Sequence, residues 1–196
     1  MLHAVGQIYA SLAPAIFAAV LNMVWVKTRA LPGLARPIDG WLTLGDGRRL
    51  LGDNKTWKGL LGVTVLGAVT GWLWGAALRG TAAEPYDLFF LRHQNTHAWA
   101  AGSGALLGFT YGLFELPNSF LKRRVGITPG LTKGDRWSWV FVVLDQIDSV
   151  LGCALVLALF APVSFALFLA IVVLGGLTHF LLNLVLYALR LRRTPL

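Results

Sequence analysis

Two aspartates, Asp145 and Asp148, stand three residues apart directly after the apolar run at 140–144. On a helix that spacing puts both carboxylates on one face. A single carboxylate at membrane depth costs about 2.5–3.5 kcal/mol on insertion scales, so a pair demands a cation or a cationic side chain. A hard divalent ion suits the task, because Mg2+ takes oxygen ligands and bridges a few carboxylates to phosphate. The competing reading is structural, with Asp145 capping a helix that starts late and Asp148 paired to an arginine.

Two basic segments could bring the phosphate. In one, Glu115 and Ser119 are followed by Lys122, Arg123 and Arg124, three cations in succession that could grip a polyphosphate. The same run after an apolar stretch also serves as a plain topology signal. The other runs Asp46-Gly47-Arg48-Arg49, then Gly52-Asp53-Asn54-Lys55-Thr56 ahead of Gly59. Glycines for close backbone approach, cations, and a Lys-Thr pair before a helix are the parts of a phosphate cradle. A P-loop NTPase is excluded, since Asp53 and Asn54 intervene before Lys55-Thr56 and no buried strand precedes them. A solvated basic loop at anionic headgroups is the plainer alternative. His179, Asn183 and Tyr187 recur every four residues as one polar stripe, a pattern that commonly serves interhelical hydrogen bonds. His93 and His97 share a helical metal-ligand spacing but lack an evident third ligand, Asp87 being six residues off.

These residues need a scaffold, and the composition names its kind. The 196 residues are 56% hydrophobic and 13% charged with a mean hydropathy of +0.65, which excludes an ordinary water-soluble domain. Apolar stretches at about 8–26, 59–78, 98–114, 139–160 and 163–189 predict an all-α polytopic membrane protein with five transmembrane helices in a single integral-membrane domain, 1–196. Ala161 and Pro162 alone join the last two, which predicts a tight helical hairpin. Seventeen Lys and Arg against nine Asp and Glu give a net charge of +8. Fifteen of the 17 fall in the segments 27–58 and 115–138 and in the tail, which makes both segments cytoplasmic loops and the C-terminus cytoplasmic. Five crossings then put the N-terminus outside. No basic residue precedes the first stretch, so it reads as a retained helix and not as a cleaved signal. The charge points to phosphate-bearing partners at the cell membrane, not to nucleic acid. The one cysteine, Cys153, excludes a disulfide within the chain. Glycine ladders at 67, 71 and 75 and at 104, 108 and 112 predict close helix packing, either with each other or in a homo-oligomer.

Taken together these segments resemble the CDP-archaeol synthases, a branch related to the integral-membrane CTP:phosphatidate cytidylyltransferases. The resemblance is carried by Pro14, Asn22, Ile38-Asp39, Asp46-Gly47-Arg48-Arg49, Gly52, Lys55-Thr56 with Gly59, Ser119-Phe120, Lys122-Arg123-Arg124, Gly126-Ile127, Pro129-Gly130, Asp145-Gln146 with Asp148, and His179, Asn183 and Tyr187. Its most specific part is Ser119-x-x-Lys122-Arg123 followed by Asp145-x-x-Asp148. The family usually has Gly-Asp where Phe114-Glu115 stand, and Pro117-Asn118 and the insert at 131–139 are atypical of it. The resemblance implies transfer of a cytidylyl group from CTP to a lipid monophosphate, releasing pyrophosphate. It implies Mg2+ on Asp145, Asp148 and Glu115, with catalysis also drawing on Lys122 and Ser119. Substrate contacts would come from Asp46, Arg48, Arg49, Asn54, Lys55, Thr56, Arg123, Arg124, Gln146, His179 and Asn183. The alternatives are a CDP-alcohol phosphotransferase, whose Asp-Gly-x-x-Ala-Arg pattern is absent after Asp46-Gly47, a small transporter, whose inverted repeats and paired broken helices are absent from this sequence, and an inactive membrane scaffold, which stays open.

Overall fold

The computed structural model of the protein describes residues 2–128 and 138–190. Expectations resting on Pro129, Gly130, Lys133, Arg136, Arg192, Arg193 and the stretch 131–137 lie outside those residues. Among the described residues five α-helices follow one another: α1 (Leu2–Trp25), α2 (Trp57–Leu78), α3 (His97–Arg124), α4 (Ser138–Phe160) and α5 (Phe165–Ala188). α3 lies between α2 and α4, α1 packs on α2, and α5 packs on α4, while α1 and α5 meet only sparingly. Among the described residues four helices, α1, α2, α4 and α5, are long and apolar enough to cross a membrane. At 1.5 Å per residue their 22 to 24 residues span about 33–36 Å.

α3 differs most from expectation. It continues through Pro117 to Arg124, ten residues past the predicted end at 114, so Glu115, Ser119, Lys122, Arg123 and Arg124 stand on a helix and not in a loop. The cause is burial: Asn118, Ser119 and Arg123 are each 6% exposed, so the polar composition is an inward helical face. α1 likewise starts at Leu2, before the expected 8. Its Pro14 removes the N–H that would bond the Ala10 carbonyl, and the Trp74 indole N–H of α2 donates to that oxygen at 2.8 Å instead.

The glycine ladders of α2 and α3 face each other. A Cβ at Gly67 would fall on the Gly104 carbonyl, one at Gly104 on the Gly67 carbonyl, and one at Gly108 on the Val63 carbonyl. Backbone-to-backbone contact of this kind leaves no room for any side chain. At the other end of these helices, His93 stacks on Trp99 and bonds the Phe160 carbonyl, while His97 bonds Arg79. The two histidines are separately engaged in packing.

The segment between α1 and α2 is folded around Asp39. Its fully enclosed carboxylate accepts from Arg49 (2.6 Å) and from the backbone N–H groups of Leu51 (2.9 Å), Gly52 (3.3 Å) and Trp41 (3.2 Å). Burial opposes its charge, but those donors outweigh burial and hold the carboxyl below its ordinary range. From this hub the chain returns to α2: Ile38 N–H donates to the Lys55 carbonyl (2.8 Å), and Thr56 caps α2 by accepting from Gly59 N–H (3.1 Å). Lys55 is thereby fixed one residue before the cap.

Candidate active site

The inward face of α3 meets the aspartates of α4. Lys122 Nζ donates to both carboxylate oxygens of Asp145, at 2.6 Å to Oδ1. The Asn118 amide nitrogen donates to Asp145 Oδ1 (2.7 Å) and Asp148 Oδ2 (2.8 Å). Asp148 Oδ1 accepts from Ser149 N–H at 2.6 Å, and Ser149 Oγ donates to Glu115 Oε1 at 3.1 Å. Lys55 reaches across from the first loop to an ion pair with Glu115 Oε2. Burial alone would lower the Lys55 pKa, but Glu115, with Asp148 and Asp145 behind it, outweighs that and raises it, so the ammonium stays charged.

Lys55, Glu115, Lys122, Asp145 and Asp148 line one side of a cavity of about 520 Å3, with Asn118 and Ser149 behind that wall; the cavity extends from Asn54, Lys55 and Thr56 past Ser119, Lys122 and Arg123 to an apolar part bordered by Leu12, Ile16, Val150 and Cys153. Arg123 stands out there. It is 6% exposed, yet its Nε and Nη1 have no hydrogen-bond partner among the described residues. A buried guanidinium left unpaired is costly, and an anion delivered to the cavity would satisfy it.

Several residues expected at the substrate are engaged elsewhere. Arg124 donates from Nη1 to both Asp46 carboxylate oxygens (2.8 and 2.7 Å) and from Nη2 to the Arg48 and Arg49 carbonyls, while Arg48 donates back to the Arg124 carbonyl. The Arg48 N–H, with Arg124 beside it, holds the exposed Asp46 carboxyl below its ordinary range. Arg49 is taken by Asp39 and by Asp53 at 2.5 Å. These four residues latch the first loop to the end of α3, and none of them lines the cavity. Their charges face each other across chain segments more than 70 residues apart, which a reading of each loop alone misses.

Gln146 also stays outside the cavity lining. Its side chain accepts from Asn183 (3.0 Å) and its backbone carbonyl bonds His179 Nδ1 (3.3 Å), tying α5 to α4. His179 Nε2 lies 3.2 Å from the Tyr111 hydroxyl, and both residues, with Asn183, border the cavity. The stripe stops there, because Tyr187 is 45% exposed. Asn118, Ser149 and Tyr111 are site residues that the sequence reading missed. The signal for Tyr111 and Asn118 is the helical spacing of Tyr111, Glu115, Asn118 and Lys122, visible once α3 is carried past 114, while Ser149 follows Asp145 by four residues on α4.

For a divalent cation, the donor set is chemically right and its number is not that expected. Asp145 and Asp148 offer hard oxygens at one cavity wall. Glu115 is directed to Lys55 and Ser149 instead. Among the described residues no three His, Cys, Asp or Glu side chains converge as a metal cluster. A two-aspartate site fits; the three-carboxylate site does not.

The fold and site define a multi-pass helical membrane protein whose interior presents cations and carboxylates to a cavity that turns apolar with depth. The chain belongs to the CDP-archaeol synthase (CarS-like) family, whose pattern matches residues 8–196. It is 35% identical over 172 residues to a CDP-archaeol synthase of Methanosphaerula palustris, covering 85% of this chain and 93% of that one. To the CDP-archaeol synthase of Thermofilum pendens it is 32% identical over 196 residues, 100% of this chain and 79% of that one. A solved structure of an intramembrane enzyme for archaeal membrane lipid biosynthesis superposes with a TM-score of 0.61 at 27% identity, covering 89% of this chain and 91% of that one.

Proposed function

We propose that this protein is a CTP-dependent cytidylyltransferase that converts a membrane lipid monophosphate into a CDP-lipid, releasing pyrophosphate. The observation that carries the reading is the buried Arg123 guanidinium, whose Nε and Nη1 have no partner among the described residues, lining with Lys122 and the aspartate pair a cavity with an apolar end. Family membership supports the reaction. An oxygen of the lipid phosphate attacks the α-phosphorus of CTP, the bond to the β-phosphate oxygen breaks, and pyrophosphate carries the electron pair away. The attacking oxygen is already anionic, so no general base is needed, and none is assigned. What must be overcome is repulsion between two polyanions. Lys55, Lys122 and Arg123, all on the cavity wall, neutralise phosphates, Ser119 orients a phosphate oxygen, and the apolar part of the cavity receives the lipid chain. Asp145 and Asp148 hold the divalent cation, Mg2+ in this reading, which when bound offsets charge on the phosphates undergoing transfer. Asn54 and Thr56 border the CTP side, and His179 and Asn183 the deeper part. Incubating the purified protein with labelled CTP, Mg2+ and a panel of isoprenoid-ether and acyl-ester lipid monophosphates tests this. A labelled CDP-lipid from at least one of them is expected; none from any would refute it.

The same reading makes the chain a single five-crossing domain of the cell membrane, with α3 as the fifth crossing, the N-terminus outside and the C-terminus cytoplasmic. The split of basic residues supports it, and soluble CTP then meets the lipid phosphate at the inner surface. The first loop and the α2–α3 connection carry the test. Cysteines replacing Gly45 and Gln94, both exposed positions, are expected to react oppositely with an impermeant thiol reagent on intact cells. Q94C should label and G45C should not, and the reverse would overturn the orientation. The glycine ladders, spent inside the chain, give no support to the homo-oligomer.

A further inference from the structure

Asn118 is the member of the aspartate cluster whose bonding is incomplete. Its amide nitrogen links Asp145 Oδ1 (2.7 Å) to Asp148 Oδ2 (2.8 Å) across the α3–α4 contact. Its own carbonyl oxygen is buried without a partner among the described residues, and the residue is only 6% exposed. A primary amide is symmetric in outline: a half-turn about its last side-chain bond exchanges the NH2 group with the oxygen and displaces nothing else. In one setting it supplies two donors to two facing anions. In the other it presents a neutral oxygen at the same point.

That point is suitably spaced for a ligand. Around an octahedral cation with bonds of about 2.0–2.1 Å, neighbouring ligand oxygens lie about 2.9 Å apart. The amide position is already 2.7 and 2.8 Å from one oxygen of each aspartate. The other acceptors nearby are committed. Lys122 holds Asp145 Oδ2, Ser149 holds Asp148 Oδ1, and Lys55 and Ser149 hold Glu115. We propose that Asn118 is an oxygen ligand of the divalent cation shared by Asp145 and Asp148, and that its amide turns over as the cation enters. Without the cation, its NH2 group keeps two carboxylates together that would otherwise repel; with it, the carbonyl takes up a coordination position. A neutral ligand does this without adding a third buried negative charge. The inference rests on the proposed cytidylyltransferase reading only in its need for a metal.

The test uses the full-length protein in detergent with neither CTP nor lipid. Mn2+ affinity is read from the loss of the free-ion electron paramagnetic resonance signal, and melting temperature is measured with and without Mg2+. N118L, similar in size but without donor or acceptor, is expected to weaken Mn2+ binding by about tenfold or more and to melt lower in the absence of metal. N118D is expected to bind Mn2+ at least as tightly as the parent, to melt lower than the parent without metal, and to gain more from Mg2+. If the amide is only a strut that the cation must displace, N118L will bind Mn2+ as well as or better than the parent, and the proposal fails. It fails equally if N118D binds more weakly, or if the parent chain binds no Mn2+. Should N118L not purify, N118A replaces it under the same criteria. CTP turnover of the parent, measured separately, decides the cytidylyltransferase reading whatever the Mn2+ result.

Discussion

Asp148→Asn is expected to remove cytidylyl transfer, by on the order of 10²–10³ or more in turnover, while the protein inserts, purifies and melts near the parent. The separation of activity from stability follows from what Asp148 touches. Its oxygens accept from Ser149 N–H and Asn118 Nδ2, neutral donors that an asparagine carbonyl can still meet in part. Removing a charge from membrane depth is itself favourable. What asparagine cannot do is offset the charge of a hard cation, so the loss falls on the metal and on the phosphates. Asp145→Asn behaves differently, because Asp145 is the direct partner of Lys122. That variant should lose activity and also stability, by less than the roughly 3–5 kcal/mol of a fully buried pair, since the two side chains keep 17% and 27% exposure. Turnover and melting temperature are measured on the same samples across a Mg2+ series. Normal turnover in a well-folded Asp148→Asn protein would remove the metal assignment.

The aspartate pair is legible in the sequence because a spacing of three within one helix is local information. The glycine ladders are legible for the same reason, while their mutual contact is not, since partner choice depends on how α2 and α3 are placed. α3 is the instructive failure. Glu115, Pro117, Asn118 and Lys122 look like a loop by polarity, and hydropathy reads polarity as exit from the membrane. In a membrane protein a polar helical face can instead turn inward, and these residues follow the helical spacing of Tyr111, Glu115, Asn118 and Lys122. Had the helix been continued, the cluster's α3 wall would have been visible. The pairing of Arg124 with Asp46 was out of reach in any case. Both residues carry plausible phosphate or headgroup roles when each loop is taken alone, and only the fold reveals that they satisfy each other.

Arg123 and Arg124 are chain neighbours with opposite expected phenotypes. Arg124 is held by a bidentate carboxylate and two carbonyls, and it joins the first loop, which carries Lys55, to the end of α3. Arg124→Ala should therefore loosen the loop and lower the melting temperature, with turnover reduced through misplacement of Lys55. Arg124→Lys, with one point charge in place of a planar fork, should recover only part of both. Arg123 has the reverse bookkeeping: a 6% exposed cation whose Nε and Nη1 have no partner among the described residues. Removing it relieves a buried, incompletely paired charge, so Arg123→Ala should melt at or above the parent. Its turnover should nevertheless fall by on the order of 10²–10³, because a guanidinium on the cavity wall is held in place to meet a phosphate. The partition of the loss tells which phosphate it serves. A fall in kcat and kcat/KM together places it where charge develops on the departing pyrophosphate, and a rise in KM alone places it on bound CTP or lipid phosphate in the ground state. A destabilised Arg123→Ala protein with full turnover would make Arg123 a structural cation and leave Lys55 and Lys122 as the phosphate ligands.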